Sequence, residues 1–98
     1  MDIYNSVVEK FLRYVKVNTR SDETVAKGCS TSEGQWELAR LLAEELKSLG
    51  LKDAQVNERC FVLATLPGNI EKKAPTIGFL AHLDTSPDFN GENVKPQV

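Results

Sequence analysis

Histidine occurs once, cysteine twice and tryptophan once in these 98 residues. A single imidazole with no C-x-x-C pair cannot build the tetrahedral donor set of a zinc knuckle. Cys29 and Cys60 have neither the density nor the spacing of a disulfide framework, so two buried or half-buried free thiols in a reducing cytoplasm are expected. Neither sign of charge dominates, with 12 Lys+Arg against 14 Asp+Glu and a net charge of −2. The concentrated positive field that a phosphate backbone requires is lacking, so nucleic acid is not the expected partner. Long apolar runs are missing too. The longest mostly apolar stretch, Thr76 to Leu83, falls far short of the ~20 residues that span a bilayer. The N-terminus mixes charged and apolar residues like a helix of a mature protein rather than a secretory leader. What is present, 41% hydrophobic and 27% charged residues, is globular composition sufficient for one small core.

Periodicity divides the chain. Ile3, Val7, Phe11 and Val15, flanked by Val8 and Leu12, form the stripe of an amphipathic helix that needs something to pack against. Its other face carries Glu9, Lys10, Arg13 and Lys16, with Glu9 and Arg13 spaced as an i,i+4 ion pair on a solvated surface. From Asn18 to Ser30 the period stops, as in a surface loop with no assigned function. Ser30, Thr31 and Ser32 offer hydroxyl caps for a second helix, Ser32 and Gln35 having the spacing of a capping box. Trp36, Leu38, Ala39, Leu42, Ala43, Leu46 and Leu49 line its apolar face, where Trp36 is expected as a core residue. Gly50 is placed to end this helix in the left-handed region, with Leu51 closing against it.

Beyond Lys52-Asp53 the pattern predicts two short strands, Gln55 to Asn57 and Phe61 to Leu66, as a hairpin turning near Glu58-Arg59. Pro67-Gly68-Asn69 ends the second strand. Thr76 to Ala81 is apolar on both faces, the pattern of an interior strand in a sheet covered on both sides, so the expected class is α/β. Asp84 to Val98 reads as an extended loop.

One constellation carries chemistry. His82 and Asp84 stand at the carboxyl end of that apolar run, where α/β sheets place their binding crevices. Spacing of two puts both side chains on one face. An imidazole there can ligate a metal while the carboxylate fixes its tautomer through the other ring nitrogen. By itself H-x-D is a weak motif, and a satisfied core histidine beside a solvated aspartate is its commoner meaning.

The surrounding sequence adds specificity. Gly78-Phe79-Leu80-Ala81-His82-Leu83-Asp84-Thr85-Ser86-Pro87-Asp88, then Asn93-Val94 and Pro96-Gln97, resembles the peptidase T family, zinc-dependent tripeptide aminopeptidases within a larger class of two-zinc peptidases and acylases. The resemblance extends to Phe11-Leu12-Arg13-Tyr14, Ser32-Glu33-Gly34-Gln35-Trp36 and Ala64-Thr65-Leu66-Pro67. It implies a zinc ligand at His82 and an aspartate at Asp84 that orients or polarises it, a role within the catalytic centre. It also implies two helices packed on a small mixed sheet, with residues 1–98 as one incomplete domain, the N-terminal part of a two-zinc peptidase catalytic domain. The family's bridging Asp, paired Glu residues, further Asp and second His have no counterpart here, and Asp88 is taken as a loop or capping carboxylate. Catalytic zinc needs about three protein ligands and an open position. The isolated chain is therefore expected to be inactive, to hold at most a partial zinc site, and to self-associate through exposed edges. Tripeptides in the cytoplasm would be the substrate of the complete enzyme. The alternatives are another two-zinc dipeptidase or aminoacylase of the same class, or a small non-catalytic module binding a partner through the Trp36 helix or a sheet edge.

Overall fold

The computed structural model describes residues 2–25, 28, 30 and 32–98. Helix α1 covers Ile3–Tyr14, and the Asp2 carboxylate caps it by accepting the Asn5 N–H at 3.2 Å. That bond satisfies one of the donors that every helix start leaves free. The apolar stripe is present but only partly covered: Val8, Leu12 and Val15 are half-buried, Ile3, Val7 and Phe11 are exposed, and no residue of α1 is buried. The helix is also tethered by polar contacts to Glu45. Arg13 Nη2 lies 3.1 Å from Oε1, the Tyr14 hydroxyl donates to Oε2 at 2.9 Å, and Lys10 Nζ stands 3.9 Å from Oε1. Arg13 thus pairs across helices rather than with Glu9.

Helix α2 covers Glu33–Ser48 with Ser32 as N-cap. The reciprocal capping box is not made. Ser32 forms no side-chain cap bond, and its buried Oγ has no partner among the described residues. The reason is that Gln35 points inward: buried, it donates from Nε2 to the Thr19 carbonyl at 3.2 Å and accepts the Ser30 hydroxyl at 3.1 Å. Thr31, the other expected cap hydroxyl, lies outside the described residues. Leu38, Ala39 and Ala43 are buried, Trp36, Leu42 and Leu46 are half-buried, and Leu49 is exposed. At the C-terminus Gly50, at φ 98°, donates to Lys47 O at 2.9 Å while Leu51 donates to Leu46 O at 3.0 Å. These paired bonds form the expected glycine cap.

Strands β1 (Gln55–Val56) and β2 (Val62–Leu63) pair antiparallel, with Gln55 opposite Leu63 and Val56 opposite Val62. The Asn57 carboxamide oxygen accepts the N–H groups of Arg59 and Phe61, both at 2.9 Å, which builds the turn. Cys60, at φ 64°, takes the left-handed position at the end of that turn. Its thiol is free and buried, and Cys29 lies outside the described residues. Both strands pack on α2, so the class is α/β, as the chain's pattern requires.

The apolar run from Thr76 to Ala81 departs from expectation. It forms no paired strand, and Ile77, Phe79 and Leu80 are exposed, Phe79 and Leu80 at 95% and 97%. Continuous apolarity specifies burial on two faces, but no described strand pairs with the run and its large side chains stay exposed. The exposed surface is correspondingly large. The chain exposes 8355 Å², where a folded monomer of its mass exposes about 5,600 Å². Its radius of gyration is 15.7 Å, against about 13 Å for a compact domain of this length. No helix among the described residues is long and apolar enough to cross a membrane.

Candidate metal-holding site

The segment after α1 crosses the start of α2 and meets the segment after the apolar run. Gly34 makes the first approach possible: a Cβ there would overlap the Asn18 carbonyl oxygen and stand 2.7 Å from its carbon. Thr19 and Ser21 then flank Thr85 in a parallel bridge. The Thr85 N–H donates to Thr19 O at 3.1 Å, and the Ser21 N–H donates to Thr85 O at 3.0 Å. The Arg20 guanidinium extends the contact by donating to the Pro87 carbonyl, through Nε at 2.9 Å and also through Nη2.

This bridge sets the surroundings of the H-x-D pair, which the structure brings together as the spacing predicts. His82 Nδ1 lies 2.8 Å from the Asp84 backbone carbonyl and 3.1 Å from Asp84 Oδ1. A carbonyl oxygen can only accept, so Nδ1 carries the proton and, in the neutral ring, Nε2 keeps its lone pair. The His82 side chain is 84% exposed, so that lone pair is open to an incoming cation. The other carboxylate oxygen, Asp84 Oδ2, accepts the Ser21 hydroxyl at 2.8 Å. Chiefly this hydroxyl, with a smaller contribution from His82, holds the Asp84 carboxyl below its ordinary value despite partial desolvation.

His82 and Asp84 both line an open cleft of about 490 Å³, together with Phe61, Val62, Leu63, Phe79 and Leu80. No group of three or more histidine, cysteine or acidic side chains converges anywhere among the described residues. Asp88 stays within its own turn, where its carboxylate accepts the Ser86 hydroxyl at 3.2 Å. Ser21 is the participant that sequence reading missed. It lies in an aperiodic loop 63 positions before its carboxylate partner, and no local pattern marks it.

An imidazole that donates from Nδ1 and keeps Nε2 free has the donor arrangement common to histidines in a broad class of metal-binding proteins. Comparison with known proteins narrows that class. Peptidase T of Geobacillus thermodenitrificans is 54% identical to this chain over 92 residues, covering 94% of the chain and 22% of the relative. Peptidase T of Bacillus subtilis is 53% identical over 92 residues with the same coverage, and that of Clostridium botulinum is 52% identical over 92 residues. No protein-family model matches. The chain is related to peptidase T, and it spans 22% of the length of the relatives it matches.

Proposed function

We propose that this chain is the amino-terminal portion of a zinc-dependent aminopeptidase of the peptidase T kind, which in its complete form removes the N-terminal residue of tripeptides in the cytoplasm. The observation that carries the reading is the His82–Asp84 pair, tethered through Nδ1 and open at Nε2, in a chain about half identical to peptidase T along nearly all of its length. His82 fits one ligand of such a centre. The remaining ligands and the general base come from outside these residues, because three protein donors are the usual minimum and the described residues converge no such group. A bound zinc ion would supply Lewis acidity toward the scissile carbonyl. The residues here would hold and orient the ion: His82 would bind through Nε2, with Asp84 keeping the imidazole proton on Nδ1. The unpaired run from Thr76 to Ala81 and the surplus exposed surface fit a segment whose covering elements belong to the rest of the enzyme, and they make self-association of the isolated chain an expected behaviour.

A chimera tests this. This chain replaces the 92 matching residues of Bacillus subtilis peptidase T, and zinc content and tripeptide hydrolysis are measured. The graft should hold zinc and cleave. His82→Ala should lose zinc and activity, and Asp84→Ala should lower turnover by about 10–100-fold with binding partly kept. Full activity in both variants would refute the site. Chelator-sensitive hydrolysis by the 98-residue chain alone would refute the fragment reading.

A further inference from the structure

We propose that Ser21 is a positioning residue for this site: its hydroxyl holds the Asp84 carboxylate in the orientation that keeps the His82 proton on Nδ1 and leaves Nε2 free for a divalent cation. The inference rests on the reading of His82 as a metal ligand. The Asp84 side chain is 48% exposed, and an aspartate this open to water does not keep one rotamer from a single contact. Here each oxygen has its own partner, Oδ1 facing His82 Nδ1 at 3.1 Å and Oδ2 accepting from Ser21 at 2.8 Å. An ionised carboxylate only accepts, so the hydroxyl proton of Ser21 is committed to it.

Ser21 is itself held by the backbone. Its N–H donates to Thr85 O, the carbonyl one residue beyond Asp84, while Thr85 N–H returns to Thr19 O. Donation from the Arg20 guanidinium to the Pro87 carbonyl anchors the neighbouring residue on the same pair of segments. The hydroxyl is therefore delivered to Asp84 by main-chain pairing rather than by a chance surface contact. The Asp84 backbone carbonyl also accepts from Nδ1, at 2.8 Å. Removing the hydroxyl should consequently loosen the ring rather than free it, and the expected effect is graded.

The test uses the 98-residue chain with Ser21→Thr and Ser21→Val, which have nearly the same shape and differ by the hydroxyl. His82 is the sequence's single histidine, so its ring nitrogens are read in a long-range proton–nitrogen spectrum without ambiguity, about two pH units above the ordinary imidazole value. Zn²⁺ alone is then titrated against the same ring signals. The wild type and Ser21→Thr should show the Nδ1–H form. Ser21→Val should show a several-fold larger share of the Nε2–H form that free histidine prefers, with Zn²⁺ binding weakened roughly three- to ten-fold, below the 10–100-fold typical of a ligand's direct partner. Identical tautomers and Zn²⁺ affinity in Ser21→Val and wild type would overturn the proposal. So would Ser21→Thr behaving like Ser21→Val while the Thr85 amide signal stays in its wild-type place. A ring that follows the Ser21 hydroxyl but ignores Zn²⁺ would instead overturn the reading of His82 as a ligand, and with it the metal half of the proposal.

Discussion

Gly34→Ala sets two physical effects against each other in the first turn of α2. On an open helix the substitution stabilises by about 0.5–1 kcal/mol, since alanine loses less backbone freedom on folding. Here the new Cβ would overlap the Asn18 carbonyl oxygen and meet its carbon at 2.7 Å and Thr19 N at 3.5 Å. The obstacle is main chain and cannot swing aside as a side-chain tip can. Relief requires residues 18–19 to move off the helix. That motion breaks two bonds to the Thr19 carbonyl, from Gln35 Nε2 at 3.2 Å and from Thr85 N–H at 3.1 Å. Two hydrogen bonds at about 1 kcal/mol each and overpacking of about 1–3 kcal/mol outweigh the propensity gain, leaving a net loss of about 2–4 kcal/mol. Urea unfolding followed by the single tryptophan, Trp36, measures the loss, and amide exchange at Thr85 shows whether the bridge has opened. Gly68→Ala is the control: nothing lies within 4 Å of its Cβ, and its effect should stay within about 0.5 kcal/mol. Gly34→Ala as stable as the wild type, with Thr85 still protected, would refute the reasoning.

Three further outcomes are expected. Glu45→Ala removes the acceptor shared by Arg13, Tyr14 and Lys10; it should cost about 1–3 kcal/mol and speed amide exchange in α1 but not α2, and unchanged α1 protection would show that the helix is held otherwise. Desolvation first, then the hydrogen bond to Glu45, pushes the Tyr14 phenol up to about 12. Its folded value lies above the unfolded one near 10, so its contribution, about 1 kcal/mol once solvent screening is allowed for, is complete below pH ~10 and lost as pH rises through about 12. In Tyr4→Phe the remaining tyrosinate absorbance should therefore rise with a midpoint near 12, and a midpoint near 10 would contradict the Glu45 contact. Gly50→Ala forces a Cβ into φ 98° and should destabilise by about 1–2 kcal/mol in thermal melts, while an unchanged melting temperature would argue against the glycine cap.

Legibility followed the range of the interactions. The cap at Gly50 and the turn at Asn57–Cys60 close within a few residues, so composition and period were enough to find them. The H-x-D pair was legible for the same reason, since alternation along an extended backbone is a property of adjacent residues. The capping box failed because the inward environment of Gln35 is created by Thr19, sixteen positions away. Apolarity at Thr76–Ala81 reported the surroundings the run is suited to, which the described elements do not provide. Ser21 was invisible, because nothing in an aperiodic loop records which distant carboxylate its hydroxyl will meet.

The parallel bridge between Thr19–Ser21 and Thr85 has a kinetic meaning. It closes a loop of 63 residues between Ser21 and Asp84, and bringing such ends together costs about 3.7 kcal/mol of chain entropy. Two backbone hydrogen bonds and the hydroxyl–carboxylate bond return a few kcal/mol, roughly the same amount. Helix α2 and the hairpin need no such closure and form from near neighbours in sequence. The seam that orients His82 is therefore expected to join late in folding and to open far more often than the core around Ala39 and Ala43. A cation that binds only the closed seam would multiply the closed-to-open ratio by one plus the ratio of its concentration to its Kd, so ligand binding and completion of the fold become one equilibrium.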